Sequence, residues 1–219
     1  VSLYGDRLKR VTNYDKDDPT LHESDVPPMT RFLVDQYGDS DEPSVGHRVM
    51  FFDIEVEVTD GFPDIEKAQN PITSIALYDS MTEKYFTYVF DPKERLKNYS
   101  KDDQIVEFYS TEYEMLNKFY QKYLEIRPTI ISGWNSDFFD IPYLYNRAIR
   151  VLGANVASLL SPISEINYSE FTKKHRIAGV SSLDYLLLYK QFTFTQQSSY
   201  RLDYIGQQEV GMKKVEYEG

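Results

Sequence analysis

The chain has 219 residues, room for one large domain or a domain with an added fragment, and 41% of them are hydrophobic, enough to build a core. It has no cysteine, which excludes disulfides, zinc thiolate sites and cysteine nucleophiles, and no apolar run approaches the roughly 20 residues a membrane-spanning helix needs. A net charge of -11 argues against binding nucleic acid by overall electrostatics, so local basic patches would have to do that work.

Residues 1–47 are polar and broken by DKDDP at Asp15 to Pro19, VPP at Val26 to Pro28 and YGDSDEP at Tyr37 to Pro43. Only Met29 to Gln36 reads as a short helix. That is too little to bury a core, so these residues are expected to be an arm, or part of an N-terminal region, leaning on a main domain that starts near Arg48 and runs to Gly219.

Arg48 to Val58, RVMFFDIEVEV, has the two-residue period of a strand. Met50, Phe52, Ile54, Val56 and Val58 make one apolar face, and Phe51, Asp53, Glu55 and Glu57 make the other. Asp53 and Glu55 therefore point the same way, about 6 to 7 Å apart along the strand, where they repel each other and lose hydration. A divalent cation would remove that cost, whereas a strand with one wet face would simply present both carboxylates to water.

Thr59 to Pro71 has the composition of a substantial loop. Ile72 to Asp79 and Lys84 to Phe90 alternate as strands, so the first three strands are expected to form an antiparallel meander. Asp91 to Ser110 reads as a charged connection. Thr111 to Ile126 is a helix with Met115, Leu116, Phe119, Tyr120 and Tyr123 on one stripe and a capping box at Thr111 and Glu114. Thr129 to Ser132 is a short strand, and Ile141 to Leu152 is a helix with Asp140 and Pro142 where an N-terminus favours them. Asn155 to Pro162 reads as a short helix or turn, Ile163 to Val180 as a small hairpin with a basic tip, and Ser182 to Gln191 and Ser199 to Glu209 as helices. A meander followed by strand, helix, strand and helix describes a mixed α/β sheet, whose ligands sit beyond the carboxyl ends of strands, where Asp140 would lie.

Asp53, Glu55 and Asp140 together would form a set of hard oxygen ligands suited to Mg²⁺ or Mn²⁺ and to two-metal hydrolysis of a phosphodiester. Asp140 has a second reading as the cap of its helix.

FDIEV at Phe52 to Val56 and GWNSDFFDIPYLYNR at Gly133 to Arg147 resemble the first and second exonuclease motifs of the family B DNA polymerases, nearest to those of T-even-like bacteriophages. DGFP at Asp60 to Pro63, LDYLLLYKQFTFTQQSSYRLDYI at Leu183 to Ile205 and DVPPMTRFLVDQYG at Asp25 to Gly38 extend the resemblance almost without a break from residue 25 onward. It implies a ribonuclease H-like fold with 3'-5' proofreading exonuclease chemistry on single-stranded DNA 3' ends. On this resemblance Asp53, Glu55 and Asp140 match the catalytic, metal-binding carboxylates for two Mg²⁺ or Mn²⁺ ions. Phe62 matches an aromatic that packs on the frayed primer end, and Lys173, Lys174 and Arg176 fall where relatives have a strand-separating hairpin, shorter here. Asp184 and Asp203 match nothing catalytic and are expected to hydrogen-bond within helix and turn. The implied partners are the primer-template and the remainder of a polymerase chain, with a sliding clamp reached only through the full enzyme, in the cytoplasm of an infected bacterium and with no membrane.

The family's third motif, Tyr-x-x-x-Asp, supplies a fourth carboxylate and does not follow SYRLDYI; the string at Tyr14 to Asp18 and at Tyr99 to Asp103 lies too early. The chain is accordingly expected to be a piece of a longer polypeptide with little hydrolytic activity of its own. An alternative is a non-catalytic, single-stranded-DNA-binding component of a split polymerase.

Overall fold

The computed structural model describes Arg7, Lys9, Asp15 and residues 17–21, 26–59 and 61–213. Most of the first 25 residues, and Asp60 of the DGFP string, lie outside the described residues. The chain divides into two compact units, Val1–Val45 and Gly46–Gly219. In the first, helix α1 spans Pro28–Tyr37, with proline in its first turn, where the missing N–H costs nothing, and an Arg31–Asp35 ion pair at 2.8 Å one turn apart.

The second unit is built on a sheet of seven strands. Strand β1 (Val49–Val56) pairs antiparallel with β2 (Ile72–Asp79), and β2 antiparallel with β3 (Lys84–Phe90), which is the expected meander. Burial alternates along β1 as its sequence predicts: Met50, Phe52 and Ile54 are buried while Phe51, Asp53 and Glu55 are exposed. Val58, expected on the apolar face, lies past the strand's end and is exposed.

The charged connection after β3 is in fact a hairpin, β4 (Tyr99–Lys101) and β5 (Gln104–Tyr109), whose second strand runs parallel to β3. Only Val106 of β5 is buried, so its strand character comes from backbone pairing to Tyr85–Phe90 rather than from apolar alternation. Helix α2 (Glu112–Ile126) starts as expected: the Thr111 hydroxyl accepts the Glu114 N–H at 3.2 Å. Its buried stripe of Met115, Leu116, Phe119, Tyr120 and Tyr123 packs on the apolar face of β1, β2 and β3, forming the core.

Strand β6 (Ile130–Ser132) lies parallel to β1 on its other side, and helix α3 (Asp140–Leu152) follows. Helix α4 (Ala154–Ala157) and a single 3-10 turn (Ser158–Leu160) lead to a separate hairpin of β7 (Ile166–Ser169) and β8 (Lys174–Ile177). Strand β9 (Ser181–Ser182) completes the edge beside β6, followed by α5 (Tyr185–Phe192) and α6 (Leu202–Glu209). The hairpin turn is residues 170–173, where Lys173 is paired with Glu170 at 2.7 Å. The tip is thus locally neutral, not basic, and Lys174, His175 and Arg176 lie along β8.

Candidate active site

Strand β6 is short and ends opposite Phe51, and among the described residues no strand pairs with the rest of that edge of β1. The Ile54 N–H on this open edge still needs an acceptor, and the buried Asp140 carboxylate supplies it at 3.1 Å. Phe139 holds the cap position of α3 without a side-chain hydrogen bond, so Asp140 is not the helix cap; it sits in the first turn with its carboxylate directed at β1.

Such an approach requires the chain between β6 and α3 to lie flat on β1. Gly133 allows it: a Cβ there would stand 2.7 Å from the Phe52 carbonyl oxygen and 2.8 Å from the Ser136 Cβ. Asp184 then fixes the loop from the other side. It makes the local bond expected of it, though as the cap of α5 rather than inside the helix, through the Leu186 N–H at 3.0 Å, and it also accepts the N–H groups of Asn135 at 3.0 Å and Asp137 at 3.1 Å. No local signal reveals the second role, since an Asp in an apolar helical stretch reads only as a local hydrogen-bonding group.

Electrostatics at Asp140 follow from this placement. Burial, reinforced by the neighbouring Asp53 charge, pushes its carboxyl up from 3.8 to about 7, and the Ile54 N–H opposes that shift without cancelling it. The Asp53 charge is thus felt at Asp140, and Glu55 is exposed on the same strand two residues on. Among the described residues no group of three carboxylate or imidazole side chains stands together in a form that could hold a metal ion. The donor set nonetheless suits a hard cation: two carboxylates, one desolvated, with an electrostatic cost that a positive charge relieves.

Phe62 is 78% exposed, with its ring 5.2 Å from Phe139, the residue next to Asp140. Lys174, which the family resemblance assigns to DNA, has partners within the chain. Its ammonium pairs with the buried Asp137 at 2.7 Å and lies 4.9 Å over the Phe138 ring, while Ser182 donates to the other Asp137 oxygen. Arg176 is exposed on β8.

Residues 36–205 match the family described as DNA polymerase family B, exonuclease domain. The chain belongs to this family. The exonuclease domain is 34% identical over 201 residues to the DNA-directed DNA polymerase of Escherichia phage RB69 and 32% identical over 200 residues to that of Enterobacteria phage T4, covering 78% and 75% of this chain. It spans 22% of the length of each of those polymerases. A lower similarity, 28% over 182 residues, reaches DNA polymerase 1 of Sulfurisphaera ohwakuensis, with 81% of this chain and 20% of that protein covered. The seven-stranded mixed sheet with its flanking helices is the ribonuclease H-like α/β architecture of the exonuclease domain. No helix among the described residues is long and apolar enough to cross a membrane.

Proposed function

We propose that this exonuclease domain hydrolyses single-stranded DNA from its 3' end, as the proofreading module of a phage replicative polymerase. The observation that carries the reading is the buried Asp140 carboxylate held on the Ile54 N–H beside Asp53. Two Mg²⁺ or Mn²⁺ ions, when bound, would supply an activated water nucleophile and stabilise the leaving 3' oxygen. Asp53 and Asp140 would be the shared ligands, and Glu55 would join them from the same face of β1. The Ile54 N–H keeps one Asp140 oxygen engaged and so fixes the direction of the other.

Phe62, projecting beside Phe139, offers a ring on which the terminal base stacks. Arg176, exposed on β8, is the cation of the predicted basic group best suited to a phosphate, while Lys173 and Lys174 are engaged by Glu170 and Asp137. The family's fourth carboxylate has no counterpart among these residues, so hydrolysis by the 219-residue chain is expected to be slow. Duplex DNA, the rest of the polymerase and, through it, a sliding clamp complete the proposed setting.

The test is release of nucleotides from a 3'-labelled single-stranded oligonucleotide with Mn²⁺. Weak activity abolished by Asp53→Ala and by Asp140→Ala is expected. Robust hydrolysis that survives Asp53→Ala would falsify the assignment.

A further inference from the structure

One face of α3 carries Tyr143, Asn146 and Arg147, spaced three and four residues apart, and all three grip the loop that leads from Phe62 back to β2. The Tyr143 hydroxyl donates to the Asn70 carbonyl at 2.8 Å and the Asn146 amide to the Ile65 carbonyl at 2.9 Å. Arg147 donates through Nη1 to the carbonyls of Ala68 at 3.0 Å and Gln69 at 2.6 Å. The rest of its guanidinium forms a two-armed pair with Glu112, at 2.9 Å and 2.5 Å, and Glu112 also accepts the Ile72 N–H at 2.8 Å. Arg147 and Glu112 keep only 12% and 9% of their side-chain surface, so the pair is shielded from water and its geometry is enforced.

A separate observation shows what this grip maintains. Ala68 is fully buried with φ at +41°, in the left-handed region that a residue with a Cβ avoids. Strained backbone of this kind persists only where surrounding contacts over-determine it, and the Arg147 guanidinium holds the Ala68 carbonyl directly. The grip lies on the same helix whose first residue is Asp140.

We infer that Arg147, seated on Glu112 and assisted by Tyr143 and Asn146, is a positioning residue that sets the Phe62 loop relative to Asp140. One rigid helix then holds both the stacking ring and the metal-binding carboxylate, and the distance between the terminal base and the scissile phosphate is set by α3. This rests on the proposed nuclease reading for its use of Phe62, but the mechanical part stands on the contacts alone.

The two parts are tested together on the full 219-residue chain. Amide hydrogen exchange reads the loop directly: the Ala68 N–H, donated to the Asp64 carbonyl at 2.8 Å, is the reporter, with the paired amides of β1 and β2 as the control. Arg147→Met is expected to speed exchange at Ala68 by about tenfold or more while β1 and β2 stay protected. In parallel, a single-stranded oligonucleotide with 2-aminopurine at its 3' end, bound without divalent ion so that nothing is cleaved, reports stacking. Its emission change on binding is expected in the wild type, absent in Phe62→Ala and absent in Arg147→Met. Unchanged exchange at Ala68 in a folded Arg147→Met chain overturns the inference, as does faster exchange with a wild-type emission change. An emission change that persists in Phe62→Ala instead overturns the DNA reading of Phe62, and exchange alone then decides whether Arg147 holds the loop. Should Arg147→Met fail to fold, Tyr143→Phe/Asn146→Ala removes two carbonyl contacts, keeps the ion pair, and is expected to show the same two effects in weaker form.

Discussion

The Asp140 carboxylate, from the first turn of α3, takes the Ile54 N–H of β1 at 3.1 Å, and this bond joins the two segments that carry the exonuclease motifs. It exists because β6 stops short and leaves β1 an unpaired donor. Burial with Asp53 alongside raises the Asp140 carboxyl to about 7.

The raised value has a definite sign for stability. An acid whose pKa is higher folded than unfolded binds protons preferentially in the folded chain, so its contribution is present at low pH and is lost as pH rises from about 4 to about 7. Asp140→Asn keeps an oxygen for the Ile54 N–H and removes the titration. In metal-free buffer at pH 8 it is expected to be more stable than the wild type by on the order of 1–4 kcal/mol, with no such gain near pH 4. Urea denaturation at the two pH values checks this. Added Mn²⁺ should raise the wild-type midpoint and leave Asp140→Asn nearly unmoved.

Gly133→Ala should disturb the same junction mechanically. The new methyl would meet the Phe52 carbonyl oxygen at 2.7 Å, and backbone cannot give way as a flexible side chain does. A cost of about 1–3 kcal/mol is expected in denaturant melts, with weaker Mn²⁺ binding by calorimetry as the loop before Asp140 lifts off β1.

Asp184 bears on that loop without touching the proposed ligands' first bonds. Asp184→Ala leaves the N–H groups of Asn135, Asp137 and Leu186 without their acceptor. A loss of about 2–3 kcal/mol is expected, with faster amide exchange at Asn135 and Asp137 as the local signature.

Lys174 separates two roles through salt. A phosphate-contacting cation lowers the salt slope of DNA binding by about one when removed, whereas a cation spent on Asp137 does not. Lys174→Ala is therefore expected to destabilise the chain and leave the slope unchanged, while Arg176→Ala reduces it; fluorescence anisotropy over a salt series distinguishes the two.

At the far end of β1 the Arg48 guanidinium grips Asp79 of β2 through two bonds, 2.7 Å and 2.5 Å, and holds that carboxyl well below the usual carboxylate range. Asp79 is 1% exposed, so Arg48→Met strands a buried charge. A cost of about 3–5 kcal/mol is expected at pH 7, shrinking as pH falls below the ordinary carboxylate value and Asp79 becomes protonated in the unfolded chain.

Periodicity located β1, β2, β3 and, with its capping box, α2, and N-terminal signals at Asp140 and Pro142 located α3, because each of these is a property of one segment; the motif strings identified the family through side chains close together in the chain. What no local pattern contained was pairing between distant segments. Strand β5 exists because β3 offers it a ladder, and Asp140 leaves the cap role because β6 ends early and exposes the Ile54 N–H. Lys174 looks like a free cation until β8 lies beside the loop bearing Asp137, and Arg147 looks like an ordinary helix residue until Glu112 and the Ala68 carbonyl arrive around it. Hydrophobic patterning is a property of one segment, whereas satisfying a buried charge or a stranded N–H depends on which other segment the fold brings within about 3 Å.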